Sequence, residues 1–115
     1  MTKSKVVLYY VMAQTPEVKV KNKIKAMLKK YDVYYAMPIG SGYGNAGVPD
    51  FLCCVNGKFM GIEAKAGSNQ PTALQYKNLE NIIKAQGYAL VINESNIDFL
   101  EGTIKLIKGV EGNVN

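Results

Sequence analysis

Histidine, tryptophan and arginine are missing from this 115-residue chain, and all 14 of its basic residues are lysines. Without histidine there is no Ser-His-Asp or Cys-His catalytic set, no imidazole base and no histidine-ligated zinc. Without arginine there is no rigid fork to read guanine through two bonds, whereas lysine meets phosphate as a point charge. Cysteine is scarce: the two present, Cys53 and Cys54, are adjacent. Neighbours on a strand point to opposite faces and can neither bridge nor share a metal, so both are expected to be small buried hydrophobes. They suit a reducing, cytoplasmic compartment. The apolar run near the N-terminus, "VVLYYVMA" from Val6 to Ala13, is far short of the roughly 20 residues a bilayer span needs. Its two tyrosines and the lysine-rich helix that follows argue against a signal peptide, leaving a strand or an interface segment. The glycine-rich run "IGSGYGNAG", Ile39 to Gly47, lacks the Gly-Lys-Ser/Thr ending of a phosphate-binding P-loop, so no nucleotide cofactor is expected.

What is present describes one α/β domain spanning residues 1–115, with no repeat and no linker. Thr15 to Tyr31 reads as a helix, with Thr15 as N-cap and Pro16 at the first helical position. Val20, Ile24, Met27, Leu28 and Tyr31 share its apolar stripe, and Glu17 lies on the edge of that stripe. Lys19, Lys23, Lys25, Lys29 and Lys30 take the opposite side, either as a solvated face or as a face for a polyanion. The net charge of +5 fits either reading. Asp32 to Pro38 reads as a strand. "TALQ", Thr72 to Gln75, matches a capping box opening a helix to about Gln86, with Leu79, Ile82, Ile83 and Gln75 on its inner face. Tyr88 to Ile92 is a short strand, and Ser95 to Ile107 a last helix stopped at Gly109. The tail from Val110 is expected to fray. The order implies a mixed central β-sheet flanked by helices on both faces.

The stretch "GVPDFLCCVNGKFMGIEAKAG", Gly47 to Gly67, holds the chemistry. Asn56-Gly57 is the preferred dipeptide of a two-residue type I′ hairpin turn, and such a turn sets the register. Val55 then faces Lys58, Cys54 faces Phe59, Cys53 faces Met60, Leu52 faces Gly61 and Phe51 faces Ile62. One step further, Asp50 lies opposite Glu63, with Lys65 on the same face. A bulge at Gly61 would break this register. The rest of the hairpin is apolar on both faces, as for a central pair covered on both sides. Two opposed carboxylates repel, and one lysine relieves only part of that. A divalent cation relieves the rest, and an all-oxygen ligand set favours Mg²⁺ or Mn²⁺. The structural alternative is an Asp-Lys pair at a strand end with Glu63 turned to solvent.

Pro49-Asp50 followed by Glu63-Ala64-Lys65 is the PD-(D/E)XK pattern. With the flanking words "GVPDF", "GIEAKAG" and "TALQ", the chain resembles the virus-type replication-repair nuclease (VRR-NUC) family over roughly Thr15 to Ile92, and is most like its small stand-alone phage members. It departs from the family pattern in the Val6–Ala13 extension, in the lack of arginine and in the lack of a partner domain. The resemblance implies a restriction-endonuclease-like core and a Mg²⁺-dependent endodeoxyribonuclease for which Mn²⁺ substitutes. Asp50, Glu63 and the Ala64 backbone carbonyl would hold the ion. Glu17 would take a second ion or an ion-bound water. Lys65 would orient the attacking water, and Gln75 would position Lys65 or the nucleophile. Branched or junction DNA is the expected substrate, held by Lys19, Lys23 and Lys25 and by Ser41, Tyr43 and Asn45 of the glycine-rich loop. A homodimer would supply the two cuts of a Holliday-junction resolvase. The alternatives are a nicking or flap nuclease, and a non-catalytic junction-binding protein.

Overall fold

The computed structural model describes residues 15–39 and 46–109. The Val6–Ala13 segment, Ser41, Tyr43 and Asn45 of the loop, and the tail from Val110 lie outside the described residues.

Helix α1 (Pro16–Lys30) starts where its signals place it. Thr15 has extended backbone, its hydroxyl accepts from the Val18 N–H, and Pro16 follows at the first position. Val20, Ile24 and Leu28, spaced four apart, form its buried stripe. Strand β1 (Tyr34–Ala36) is shorter than the sequence suggests. Asp32, with φ at 53°, still belongs to the turn that leaves the helix, and pairing with the next strand covers only Tyr34 to Ala36. Strands β2 (Phe51–Val55) and β3 (Lys58–Ala64), helix α2 (Ala73–Lys84), strand β4 (Tyr88–Ile92) and helix α3 (Ile97–Lys108) complete the order. The sheet runs β1-β2-β3-β4. β1 to β3 are antiparallel neighbours, and β4 returns through α2 to lie parallel to β3. Among the described residues the fold is thus a mixed four-stranded sheet with three helices.

The hairpin register is the one the turn dictates. Both turn residues have positive φ, 49° at Asn56 and 79° at Gly57, and all five pairs from Val55–Lys58 to Phe51–Ile62 form without a bulge. The period of two then sorts the sheet's faces. Phe51, Cys53, Val55, Met60, Ile62 and Ala64 turn inward on one face, where they form a single core with the buried residues of α1 and with Leu100 and Ile104 of α3. Burial pushes the Cys53 thiol up to about 12, so it behaves as a small apolar side chain.

The opposite face carries α2. Gly61 lets that helix settle: a Cβ there would stand 2.7 Å from Ile82 Cδ1 and 3.2 Å from the Pro49 ring. The cover ends before the turn. Cys54 is exposed and Phe59 is 46% exposed, so the hairpin is not covered on both sides throughout, and Cys54 is not the buried hydrophobe expected from its type. On α2 itself, Leu79 is buried and Ile82 partly so. Ile83, expected on the inner face, is 57% exposed, since a twelve-residue helix crossing a narrow sheet seats only one stripe.

Gly47 fixes the entry to β2. Its φ is 84°, and a Cβ would lie 2.8 Å from the Leu74 carbonyl oxygen and 3.0 Å from Asn78 Nδ2. Asn78 donates from Nδ2 to the Ala46 oxygen at 3.3 Å and to the Leu74 oxygen at 3.0 Å, fastening the incoming chain to α2. Gly47→Ala combines left-handed strain with a backbone clash. It is expected to destabilise the fold by about 2–3 kcal/mol, read as a lower urea midpoint at unchanged slope. A midpoint equal to the parent's would mean that this close approach is not needed.

Candidate active site

Three elements deliver four polar side chains to one end of the sheet. Asp50 immediately precedes β2, Glu63 is the penultimate residue of β3, Lys65 follows β3, and Glu17 lies in the first turn of α1. The observed register, extended by one pair, sets Asp50 against Glu63. Pro49, buried beside Gly61, anchors the residue before Asp50. Asp50 Oδ2 accepts from the Ala64 N–H at 2.8 Å, so the carboxylate closes the end of the ladder.

Extending the register by two pairs sets Pro49 against Ala64. This pair would be hydrogen-bonded, because bonded pairs alternate outward from the turn. Proline has no N–H to give the Ala64 carbonyl. The motif's proline therefore leaves that oxygen without a ladder donor from β2, on the edge where Asp50 sits.

Glu63 is the outlying group. It is 2% exposed, which rules out the alternative in which it turns to solvent. Its Oε2 lies 3.5 Å from Lys65 Nζ, and its Oε1 is buried and has no hydrogen-bond partner among the described residues. Burial first, and the nearby Asp50 charge second, push its carboxyl up to about 7, while Lys65 pulls the other way. A buried carboxylate oxygen without a donor is costly, and native structures rarely keep one without a reason. The donor set meets the requirements of a hard divalent cation: two carboxylates, one of them with an unsatisfied oxygen, and a carbonyl lacking its ladder partner. Among the described residues, no group of three or more His, Cys, Asp and Glu side chains converges in metal-binding geometry. An ion held there would have a carboxylate pair supplemented by backbone and would have to retain several waters.

Lys65 is held from both sides. Its backbone N–H donates to the Ile92 oxygen at 3.0 Å. Two residues on, the Gly67 N–H donates to both carboxylate oxygens of Glu94, at 2.9 and 3.1 Å. The Glu94 backbone N–H, then that of Gly67, hold the Glu94 carboxyl below its usual range. Gln75 stands in the capping box of α2: its N–H donates to Thr72 Oγ1 at 3.2 Å, and its Oε1 accepts from the Thr72 N–H at 2.9 Å. The box uses the amide oxygen and leaves the NH₂ group for another acceptor. Lys19 and Lys23 are exposed and line a cavity of about 290 Å³ with Glu94, and Lys25 is partly exposed.

Sequence reasoning passed over Lys21. Its Nζ lies 3.6 Å from Glu17 Oε2 and 3.6 Å from Asp50 Oδ1, so it joins the helix acid to the strand acid. The signal was available, since Glu17 and Lys21 stand four apart in the favourable order on one helix face. Glu17, Val18, Lys21, Ala66 and Asn69 border a cleft of about 500 Å³ beside the acids.

No family model matches the chain, and no curated protein matches it. Among solved structures, one titled "VRR_NUC domain" superposes on 89% of this chain and on the whole of its own, with a TM-score of 0.61 and 17% sequence identity. The chain has the fold of that domain.

The raised carboxyl of Glu63 has a thermodynamic signature. The folded state holds this proton more tightly than the unfolded chain does. The stability it contributes is complete below the unfolded value near 4.5 and is lost as pH rises towards about 7. In EDTA, Glu63→Gln should match the parent near pH 4.5 and exceed it at pH 8 by on the order of 3 kcal/mol. Parallel stability curves for the two proteins would show that Glu63 ionises at no cost.

Proposed function

We propose that this chain is a Mg²⁺-dependent nuclease acting on DNA, with Mn²⁺ as a working substitute. The observation that carries the reading is the buried, unpartnered oxygen of Glu63 beside Asp50 and Lys65. A structural ion pair has no use for an acid whose second oxygen lacks a donor, whereas a cation site does.

Asp50, Glu63 and the Ala64 carbonyl would hold the ion. What it supplies when bound is Lewis acidity, polarising the scissile phosphate and acidifying a water. The remaining roles belong to the chain. Lys65 carries a positive charge beside Glu63, where it would orient the attacking water and offset charge building on phosphorus. Glu17 would bind a second ion or an ion-bound water. Gln75 would offer its free NH₂ group to the nucleophile or to Lys65's surroundings, while its oxygen keeps the capping box. Lysine alone supplies the cationic contacts, which suits binding by backbone shape rather than base sequence. Branched DNA presents such a shape, and a two-fold homodimer would place two sites for paired cuts, as in a Holliday-junction resolvase.

The test is cleavage of junction, flap, nicked and linear DNA by the purified protein with Mg²⁺ and with EDTA. Asp50→Asn keeps an acceptor for the Ala64 N–H. It should lower the rate by at least about 100-fold, because several kcal/mol of charge stabilisation go with the ion. Undiminished cutting by this variant would remove the site assignment. Equal rates on junction and linear DNA would remove the junction preference.

Binding gives a separate measurement. Each phosphate contact contributes about −0.9 to the slope of log K against log salt. Neutralising Lys19, Lys23 and Lys25 together should flatten that slope by up to about 3 units, equally for junctions of unrelated sequence. An unchanged slope would mean that this face is only solvated.

A further inference from the structure

We infer that Lys21 is a resident counter-cation of the acidic site, which a divalent ion must displace. The inference rests on the metal-site reading above and adds to it a residue outside the sequence motif. Five charged groups meet at this end of the sheet: the acids Glu17, Asp50 and Glu63, and the lysines Lys21 and Lys65. Lys65 serves Glu63. Lys21 serves both other acids, with its ammonium 3.6 Å from each. Those distances exceed the roughly 2.7–2.9 Å of a charge-assisted hydrogen bond, so the ammonium is held by charge rather than by fixed bonds. Its side chain is 28% exposed and its stem is long, so it can leave without disturbing the fold.

Fully ionised, the five groups carry one excess negative charge. A dication turns this into one excess positive charge, which a single phosphate group neutralises. Lys21 thus performs two tasks in sequence. Before the ion arrives, it lowers the repulsion felt by Asp50. Afterwards it turns into the adjoining cleft, bordered by Val18, Ala66 and Asn69, where a DNA phosphate can take its charge. Ion uptake is then weaker than the carboxylates alone would give, and it is coupled to phosphate arrival.

The test is Mn²⁺ binding by the DNA-free chain, followed by calorimetry and by melting temperature, for the parent, Lys21→Met, Lys21→Gln and Asp50→Asn. The Lys21 variants should bind Mn²⁺ roughly five- to thirtyfold more tightly, as expected on removing one partly exposed positive charge a few ångströms from a dication. In EDTA they should melt below the parent, and saturating Mn²⁺ should close that gap. If Asp50→Asn loses the ion while both folded Lys21 variants bind it no more tightly than the parent, the displacement inference is overturned and the metal site stands. If the parent and Asp50→Asn are alike in taking up no Mn²⁺, the metal-site reading falls and this inference falls with it.

Discussion

A carboxylate sealed from water with one oxygen unpartnered is the constraint around which this domain is arranged. Glu63 sits on the third strand of four, paired on both sides and 2% exposed. Its neighbours on the same face are the bare Gly61 and, one step on, Lys65. Every element near it fixes it more firmly. Pro49 packs beside Gly61, Asp50 closes the end of the ladder on the Ala64 N–H, and the Ile92 carbonyl holds the Lys65 N–H. The burial that makes the group costly to ionise also makes it rigid. A cation site benefits from both, because rigid oxygens in a poorly solvated setting bind charge more strongly than mobile ones in water.

The sheet separates its tasks by face. The face under α1 and α3 is mostly apolar, and Phe51, Met60, Ile62, Ile92, Leu100 and Ile104 are wholly buried in one core. At the rim of that core, Tyr31 and Lys30 at the end of α1 both donate to Glu101 of α3, tying the two helices together. The face under α2 is thinner and mixes packing with charge. Folding free energy resides chiefly in the first face, so the second can hold unfavourable charge near neutral pH without loss of the fold.

Much of this could be read from the amino acids because short-range rules decided it. Asn56-Gly57 set the hairpin register, Thr15-Pro16 the start of α1, and Thr72 with Gln75 the start of α2. Those rules carried Asp50, Glu63 and Lys65 to one place. What could not be read depended on distances across the fold. Cys54 and Ile83 carry apolar signals, yet they lie beyond the reach of the opposing layer, and no local pattern states where a layer ends. Lys21 looked like one of several helix lysines. Its pairing with Asp50 comes from how α1 lies against the residue before β2, which is a tertiary fact. The unpaired Glu63 oxygen is of the same kind, since sequence gives the acid but not which of its oxygens finds a partner.

The two-residue turn at Asn56-Gly57 has a consequence for how variation can act on this molecule. Side chains alternate with a period of two, so inserting one residue in that turn and shifting the pairing by one step would send Glu63 into the apolar core and bring Met60 and Ile62 beneath α2. Glu63 would then be carried away from Asp50 into the core and the main packing face lost with it. The acidic end and the stabilising face are readings of a single frame, and a slipped chain forfeits both. Loop-length change at the hairpin tip, ordinarily the most tolerant place in a sheet, is here closed to single-residue steps.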